Sequence, residues 1–304
     1  LRQEFEVELN PSDTPFTEDR YRTALREADA LLTFVSDPIT AELLALPDRR
    51  VGLLGQFGVG YNNIDVEAAR AEGVVVTNTP GVLTDCTADL ALTLLLMTAR
   101  RAGEGEREVR AGHWSGIRPT HLLGHRVSGK TLGIIGMGRI GLAVARRAHY
   151  GFGMPIVFQN RSPLGPERLE GLPAEQLDSV EAVLERADFV SLHCPATPQT
   201  RHLIDADRLA RMKPGAYLIN TARGDVVDEP ALIEALTQGR LAGAGLDVYE
   251  REPRVPEALR RLDNVVLLPH LGSATEETRV AMGMLVIDNV RAHFEGREPP
   301  NRVV

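Results

Sequence analysis

Short runs of aliphatic and β-branched residues alternate, over nearly the whole chain, with segments whose apolar positions recur every three to four residues. The apolar runs predict strands at 30–35, 51–54, 74–77, 131–136, 155–159, 188–193, 216–220, 242–247 and 265–268. The helical periods fall near 17–28, 66–72, 82–101, 140–150, 180–186, 205–211, 230–238 and 276–294. Alternation of this kind builds parallel sheets, because two parallel neighbours need a crossover and a helix supplies it. The strand runs are solidly apolar, as strands covered on both faces must be. The first residue is Leu1, and residues 1–9 alternate weakly. That start reads as a trimmed initial strand of an outer domain, or as numbering from the first ordered residue.

Two segments break the rhythm. Residues 102–129 are rich in Gly, Arg and His, contain the only tryptophan, Trp114, and show no clear period; they read as a connecting arm. Residues 268–274, L-P-H-L-G-S-A, precede the last long helix. The layout this predicts is a discontinuous outer domain, residues 1–100 and 274–304, around a central domain, residues 101–273. The length agrees, since 304 residues at roughly 100–200 per domain give two domains or one large one. A chain that is 43% hydrophobic and 25% charged is not disordered. A net charge of −8 argues against nucleic acid as a partner. Two cysteines, Cys86 and Cys194, give no disulfide framework and fit a reducing, cytoplasmic location. The longest apolar run, 90–99, stops at Arg100 and Arg101 and is too short for a bilayer. No signal peptide opens the chain, so no membrane partner is expected. Two of the 34 basic residues are lysines, Lys130 and Lys213; the other 32 are arginines.

The sharpest motif is G-M-G-R-I-G at 136–141. It follows the strand at 131–136 and opens the helix at 140, the context a dinucleotide site requires. Gly136 permits the tight turn, Gly138 admits a pyrophosphate to the backbone, and Gly141 lets helix pack on strand. Arg139 and Ile140 lie on that turn, where free N–H groups and the positive end of the helix dipole favour phosphate. A tight βα turn without a ligand would use the same glycines. About 20 residues on, an NAD site places an acid to accept from the ribose 2′-hydroxyl. No acid lies between Pro155 and Gly165; Asn160, Arg161 and Ser162 stand there instead. Arg161 can pair with a 2′-phosphate through charge-assisted bonds, and Asn160 and Ser162 can donate to the same oxygens. NADP(H) is therefore the preferred cofactor, with NAD(H) possible. No metal site is expected.

Three further strand ends carry N-T-A-R-G (220–224), D-V-Y-E-R-E-P (247–253) and P-H-L-G-S (269–273). Ligands of open α/β sheets sit beyond the carboxyl ends of strands. Arg, Glu and His converging there suggest carbonyl chemistry: arginine clamps two oxygens at once, histidine gives or takes a proton near neutral pH, and glutamate fixes the ring.

These segments together resemble the D-isomer-specific 2-hydroxyacid dehydrogenases, in particular their glyoxylate/hydroxypyruvate reductase branch. The likeness covers nearly the whole chain. It includes F-G-V-G-Y-N-N-I-D at 57–65, N-T-P-G-V-L-T-D-C-T-A-D at 78–89, H-C-P-A-T at 193–197 and L-P-H-L-G-S at 268–273. Glu252 follows Arg223 by 29 residues and His270 follows Glu252 by 18, as in that branch. The resemblance implies two doubly wound parallel-sheet domains: a central Rossmann dinucleotide-binding domain and a discontinuous flavodoxin-like substrate domain. It implies a small 2-oxo or 2-hydroxy acid as substrate, and a homodimer. Arg223 would bind substrate and polarise its carbonyl, His270 would be the acid/base group, and Glu252 would pair with it. Val59 and Gly60 would hold the substrate carboxylate through backbone N–H groups, a nest that suits an anion. Thr87, Thr221, Ala222 and Asp247 would line the nicotinamide, and Gly272 would also contact the cofactor. Cys194, Pro195 and Thr200 would wall the adenosine. Where relatives often carry Asp, this chain has Asn62; where relatives often carry an aromatic in the arm, it has Ile117. Other 2-hydroxyacid, phosphite or formate dehydrogenases remain open on this scaffold, as does a dinucleotide-sensing corepressor.

Overall fold

The structure, a computed structural model, describes residues 2–304. In chain order its elements are α1 (Glu18–Glu27), β1 (Ala30–Thr33), α2 (Ala41–Leu44), β2 (Leu53–Gln56), α3 (Val66–Ala71), β3 (Val75–Thr77), α4 (Thr84–Ala99), α5 (Ala102–Arg110), β4 (Leu132–Ile135), α6 (Arg139–Phe152), β5 (Ile156–Gln159), α7 (Pro166–Leu169), β6 (Ala174–Gln176), α8 (Val180–Arg186), β7 (Phe189–Leu192), α9 (Ala206–Arg211), β8 (Tyr217–Asn220), α10 (Glu229–Thr237), β9 (Gly243–Leu246), α11 (Glu257–Arg260), β10 (Val265–Leu267) and α12 (Glu276–Phe294). They form two compact units: the chain up to Leu83 with Thr275–Val304, and Thr84–Ala274.

The first unit holds a parallel sheet in the order β1-β2-β3. Leu54 and Val76 point into a cluster with Tyr21, Leu25, Leu43, Leu44 and Ala69 from α1, α2 and α3. Their neighbours Leu53 and Val75 point the other way, where Val286 and Val290 of α12 cover Leu53. Both faces are buried because successive strand residues alternate. Thr17, Thr40, Asp65 and Thr275 cap α1, α2, α3 and α12 by accepting N–H groups of the first turn, which fixes where each helix begins.

The second unit is a seven-stranded, all-parallel sheet in the order β10-β9-β8-β7-β4-β5-β6. One face packs on α8, α9 and α10 through Val183, Leu209 and Leu232, the other on α4 and α6 through Leu92, Leu95, Val144 and Ala148. The chain leaves β4 towards β6 on one side and returns to β7 and on to β10 on the other. The carboxyl ends of β4 and β7 therefore flank the point where strand order reverses, the crevice such sheets offer a ligand. No helix among the described residues is long and apolar enough to cross a membrane.

Some expectations differ from the structure. The boundary expected after residue 100 falls after Leu83, because α4 packs on α6, β8 and β9 and completes the second unit's core. The arm at 102–129 begins with a helix, α5, that buries no side chain. The weak alternation at the start forms no strand over residues 2–17. Strand β6 and the one-turn helices α2, α7 and α11 are additions.

Candidate active site

The glycine turn closes β4 against β7. Gly136 sits at φ +94, and a Cβ there would lie 2.7 Å from the Cys194 nitrogen. A Cβ on Gly141 would lie 2.3 Å from the Gly136 carbonyl oxygen. Both positions thus demand glycine for packing. Gly138 differs: it caps α6 without a side-chain bond, and nothing lies within 4 Å of its missing Cβ. The first N–H groups of α6, at Arg139 and Ile140, are thereby left open beside free space, which fits a pyrophosphate. Beyond β7 the Thr200 hydroxyl donates to the Pro195 carbonyl at 2.6 Å and accepts the Thr197 N–H at 2.8 Å, so it shapes the loop at 195–200. Burial pushes the Cys194 thiol up to about 11, which leaves it protonated and unsuited to act as a nucleophile. Burial also lowers His193 to about 3; its Nε2 lies 2.8 Å from the Ser191 hydroxyl, itself 1% exposed.

At the end of β5 the Asn160 amide donates to the Ser162 carbonyl at 3.1 Å, and Gln176 of β6 donates to the same oxygen at 3.3 Å. The amide expected to face a phosphate is thus used inside the turn. Arg161 and Ser162 are exposed. No carboxylate among the described residues pairs with the Arg161 guanidinium.

The ends of β8, β9 and β10 carry the charged groups. Asn220, 1% exposed, accepts the Ala222 N–H at 2.9 Å and donates to the Arg223 carbonyl at 2.9 Å. Its amide thus folds the loop that presents Arg223. Gly224 lies so close to the next loop that a Cβ would sit 1.9 Å from the Tyr249 carbonyl carbon. Arg223 is half-buried, and desolvation lowers its pKa against the opposing pull of Glu252 and Asp225. The Thr221 hydroxyl, in a residue 9% exposed, has no partner among the described residues; a bound carboxamide would supply one.

Asp247 organises the histidine. Its carboxylate accepts the Leu271 N–H at 2.7 Å and the Gly272 N–H at 2.8 Å, and its carbonyl accepts the His270 N–H at 2.9 Å. The Thr87 hydroxyl of α4 donates to the Gly272 carbonyl at 2.9 Å. Burial raises the Asp247 pKa, opposed by those N–H groups and by His270. This scaffold holds His270 at φ +57, a left-handed conformation uncommon outside glycine. Its Nδ1 meets the Glu252 carboxylate at 2.7 Å, while the other Glu252 oxygen accepts the Tyr249 N–H at 3.0 Å. Burial would raise the Glu252 carboxyl, but the His270 contact, the Tyr249 N–H and Arg223 together hold it below the ordinary range. The structure therefore brings Glu252 and His270 together. Asn220 and Gly224 were not singled out by the sequence; their only signal was their place in the N-T-A-R-G string.

Val59 and Gly60 lie in the first unit, in the loop after β2. Three successive carbonyls of this loop are anchored: Gly58 by the Thr79 N–H at 3.0 Å, Val59 by the Asn78 amide at 2.9 Å and Gly60 by the Gln56 amide at 3.0 Å. The N–H groups of Gly58, Val59 and Gly60 have no partner among the described residues.

A seven-stranded parallel sheet with a glycine turn at its reversal point, and a carboxylate-braced histidine at the same edge, defines a dinucleotide-dependent oxidoreductase. The chain belongs to the D-isomer specific 2-hydroxyacid dehydrogenases, whose NAD binding domain model matches residues 92–272. It is an NAD(P)-dependent enzyme of that family. It is 51% identical over 283 residues to a glyoxylate reductase of Thermococcus litoralis, covering 92% of this chain and 84% of that protein. Among solved structures, a Polaromonas protein described as a putative D-isomer specific 2-hydroxyacid dehydrogenase superposes with TM-score 0.92 at 40% identity, covering 100% of this chain and 94% of that one. An NADPH-dependent glyoxylate/hydroxypyruvate reductase of Sinorhizobium meliloti, solved with NADP and malonate, superposes at 0.83 with 41% identity, covering 95% and 86%.

Proposed function

We propose that the protein reduces a small 2-oxo acid, glyoxylate or hydroxypyruvate, to the D-2-hydroxy acid with NADPH as the preferred reductant. The observation that carries this reading is the 2.7 Å contact between His270 Nδ1 and Glu252, at the strand edge that also presents Arg223. The relatives named glyoxylate reductase and the neighbour crystallised with NADP support it. The turn 136–141 and the start of α6 would hold the pyrophosphate, and Arg161 the 2′-phosphate. Thr87, Cys194, Pro195, Thr200, Thr221, Ala222, Asp247 and Gly272 would line the rest of the dinucleotide. The nicotinamide, when bound, supplies the hydride.

The chain's own groups do the remainder. With Nδ1 committed to Glu252, Nε2 is the ring nitrogen left to hold the transferable proton. His270 gives that proton to the forming alkoxide. The Arg223 guanidinium stays cationic although half-buried and stabilises the oxygen's developing charge. The N–H groups of Val59 and Gly60 are the proposed holders of the substrate carboxylate. A cytoplasmic homodimer belongs to the same reading, supported by the arm's exposed Trp114 and Ile117, at 53% and 93%.

The test is steady-state reduction of glyoxylate and hydroxypyruvate, with NADPH and NADH, by the wild type and His270→Ala. Turnover in the variant is expected to fall roughly 10²- to 10⁴-fold, the usual worth of a positioned acid, with the NADPH Kd little changed. Near-normal turnover would remove His270 from the reaction.

A further inference from the structure

The three anchored carbonyls after β2 carry a consequence for the loop's N–H groups. A trans peptide is planar, and its carbonyl of residue i and N–H of residue i+1 point in opposite directions. Fixing the Gly58 carbonyl therefore fixes the Val59 N–H, and fixing the Val59 carbonyl fixes the Gly60 N–H. The first anchor is backbone, the Thr79 N–H. The second is a side chain, the Asn78 amide at 2.9 Å.

We propose that Asn78 is a positioning residue for substrate: by holding the Val59 carbonyl, it sets the Gly60 N–H for the carboxylate of the 2-oxo acid. Gln56, with its amide on the Gly60 carbonyl, sets the next peptide in the same way. Asn78 does not touch the substrate; it acts through the backbone.

The arrangement is braced from behind. The Asn78 N–H donates to the Asn301 carbonyl at 3.2 Å, and the Asn78 carbonyl accepts the Asn289 amide at 3.4 Å. Asn289, on α12, is 0% exposed, and its oxygen accepts the Asn301 N–H at 3.0 Å. Gln56, also 0% exposed, is gripped by the Thr33 hydroxyl at 2.6 Å and donates to the Asn63 oxygen at 2.8 Å. A loop with its carbonyls tied to the half-buried Asn78, whose own backbone is held, and to the buried, gripped Gln56 cannot turn those oxygens towards an anion. That is preorganisation: the N–H groups face their ligand without reorganising when it arrives. An untied glycine loop would have to stop its peptides flipping on binding, an ordering cost that weakens affinity.

The inference rests on the reading that Val59 and Gly60 hold the carboxylate, and the experiment separates the two. Full-length protein, labelled with ¹⁵N and supplied with NADPH, is titrated with oxamate, an unreactive isostere of a 2-oxo acid. The Val59 and Gly60 amide resonances and the oxamate Kd are followed in the wild type, in Asn78→Asp and in Asn78→Ser. KM and kcat for glyoxylate and the NADPH Kd are measured alongside. Asn78→Asp keeps the shape but loses the donor; Asn78→Ser draws the donor back from the Val59 carbonyl without adding charge, should the carboxylate hinder folding. In the wild type the two amides are expected to shift saturably. In both variants the oxamate Kd and the glyoxylate KM are expected to rise roughly tenfold, the scale of one lost anchoring hydrogen bond, with kcat and NADPH Kd within about twofold. Wild-type amides that ignore oxamate would overturn the carboxylate reading and the inference with it. Amides that shift in the wild type, with unchanged oxamate Kd in the variants, would overturn the role of Asn78 alone. Variants in which kcat and melting temperature fall while NADPH Kd rises would make Asn78 merely structural.

Discussion

In the proposed reading, Arg161 selects the cofactor through what stands around it. It is exposed at the end of β5, and no carboxylate among the described residues neutralises it. A ribose 2′-hydroxyl needs an acceptor here, whereas a 2′-phosphate needs a cation. Arg161→Ala is expected to raise KM for NADPH by about ten- to a hundredfold, the worth of a hydrogen bond to a charged group, and to leave KM for NADH nearly unchanged. Steady-state kinetics with both cofactors check it, and equal changes would count against the assignment. At this scale the sequence was informative where a residue's charge was the signal: Arg223, Glu252 and His270 were legible as strings at strand ends. It was silent on Asn220 and on the hydrogen bonds by which Asp247 holds the His270 loop. Nothing in spacing tells whether a buried polar group at a strand end faces a ligand or folds back on its own loop; here Asn220 and Asp247 fold back.

Elements were legible in proportion to their apolar content. Six strands of the seven-stranded sheet were, because each buries a largely apolar run. Strand β6, A-E-Q, was not, since it is a strand only by pairing with β5 at the sheet's edge. Helix α5 buries no side chain and contains Gly103 and Gly105, so it had neither stripe nor propensity to announce it. Helix α4 was visible, but a buried period does not say which sheet it covers, and so its unit was misjudged. The loops after β8 and β9 are the tightest join between elements at the site. In Gly224→Ala the new carbon, 1.9 Å from the Tyr249 carbonyl carbon, must push the two loops apart and carry Arg223 and Glu252 with them. Turnover is expected to fall by about a hundredfold or more, the cost of misplacing reacting groups by about 1 Å, with a lowered melting temperature. Gly138→Ala, which meets nothing within 4 Å, is expected to melt like the wild type. Activity and thermal unfolding of the two variants, side by side, provide the check.

For the molecule as a whole, acidity is the lever. His193 is neutral in the fold, with its pKa lowered from 6.5 to about 3 by burial. The unfolded chain takes up that proton below about pH 6.5, and the fold does not. Its contribution to stability is thus complete above that pH and shrinks as pH falls towards 3. Asp188 acts in the same direction: burial would raise it, but the Thr131 N–H and Lys213 hold it below its ordinary value, so its contribution is lost as pH falls through the folded pKa. Glu229, raised by burial, works the other way. The melting temperature is expected to drop by several degrees between about pH 6.5 and 4.5, and His193→Gln is expected to remove most of that slope. Calorimetry across that range decides it, and an unchanged slope in the variant would assign the effect elsewhere. The division of the chain has a further cost, in time. The sheet face bearing Leu53 waits for Val286 and Val290 of α12, and all of Thr84–Ala274 is made in between. At about 5–20 residues per second, the ribosome leaves that apolar face bare for on the order of ten seconds or more. The sheet face made before Thr84–Ala274 is covered only after it, so this part of the nascent chain closes around a middle already made.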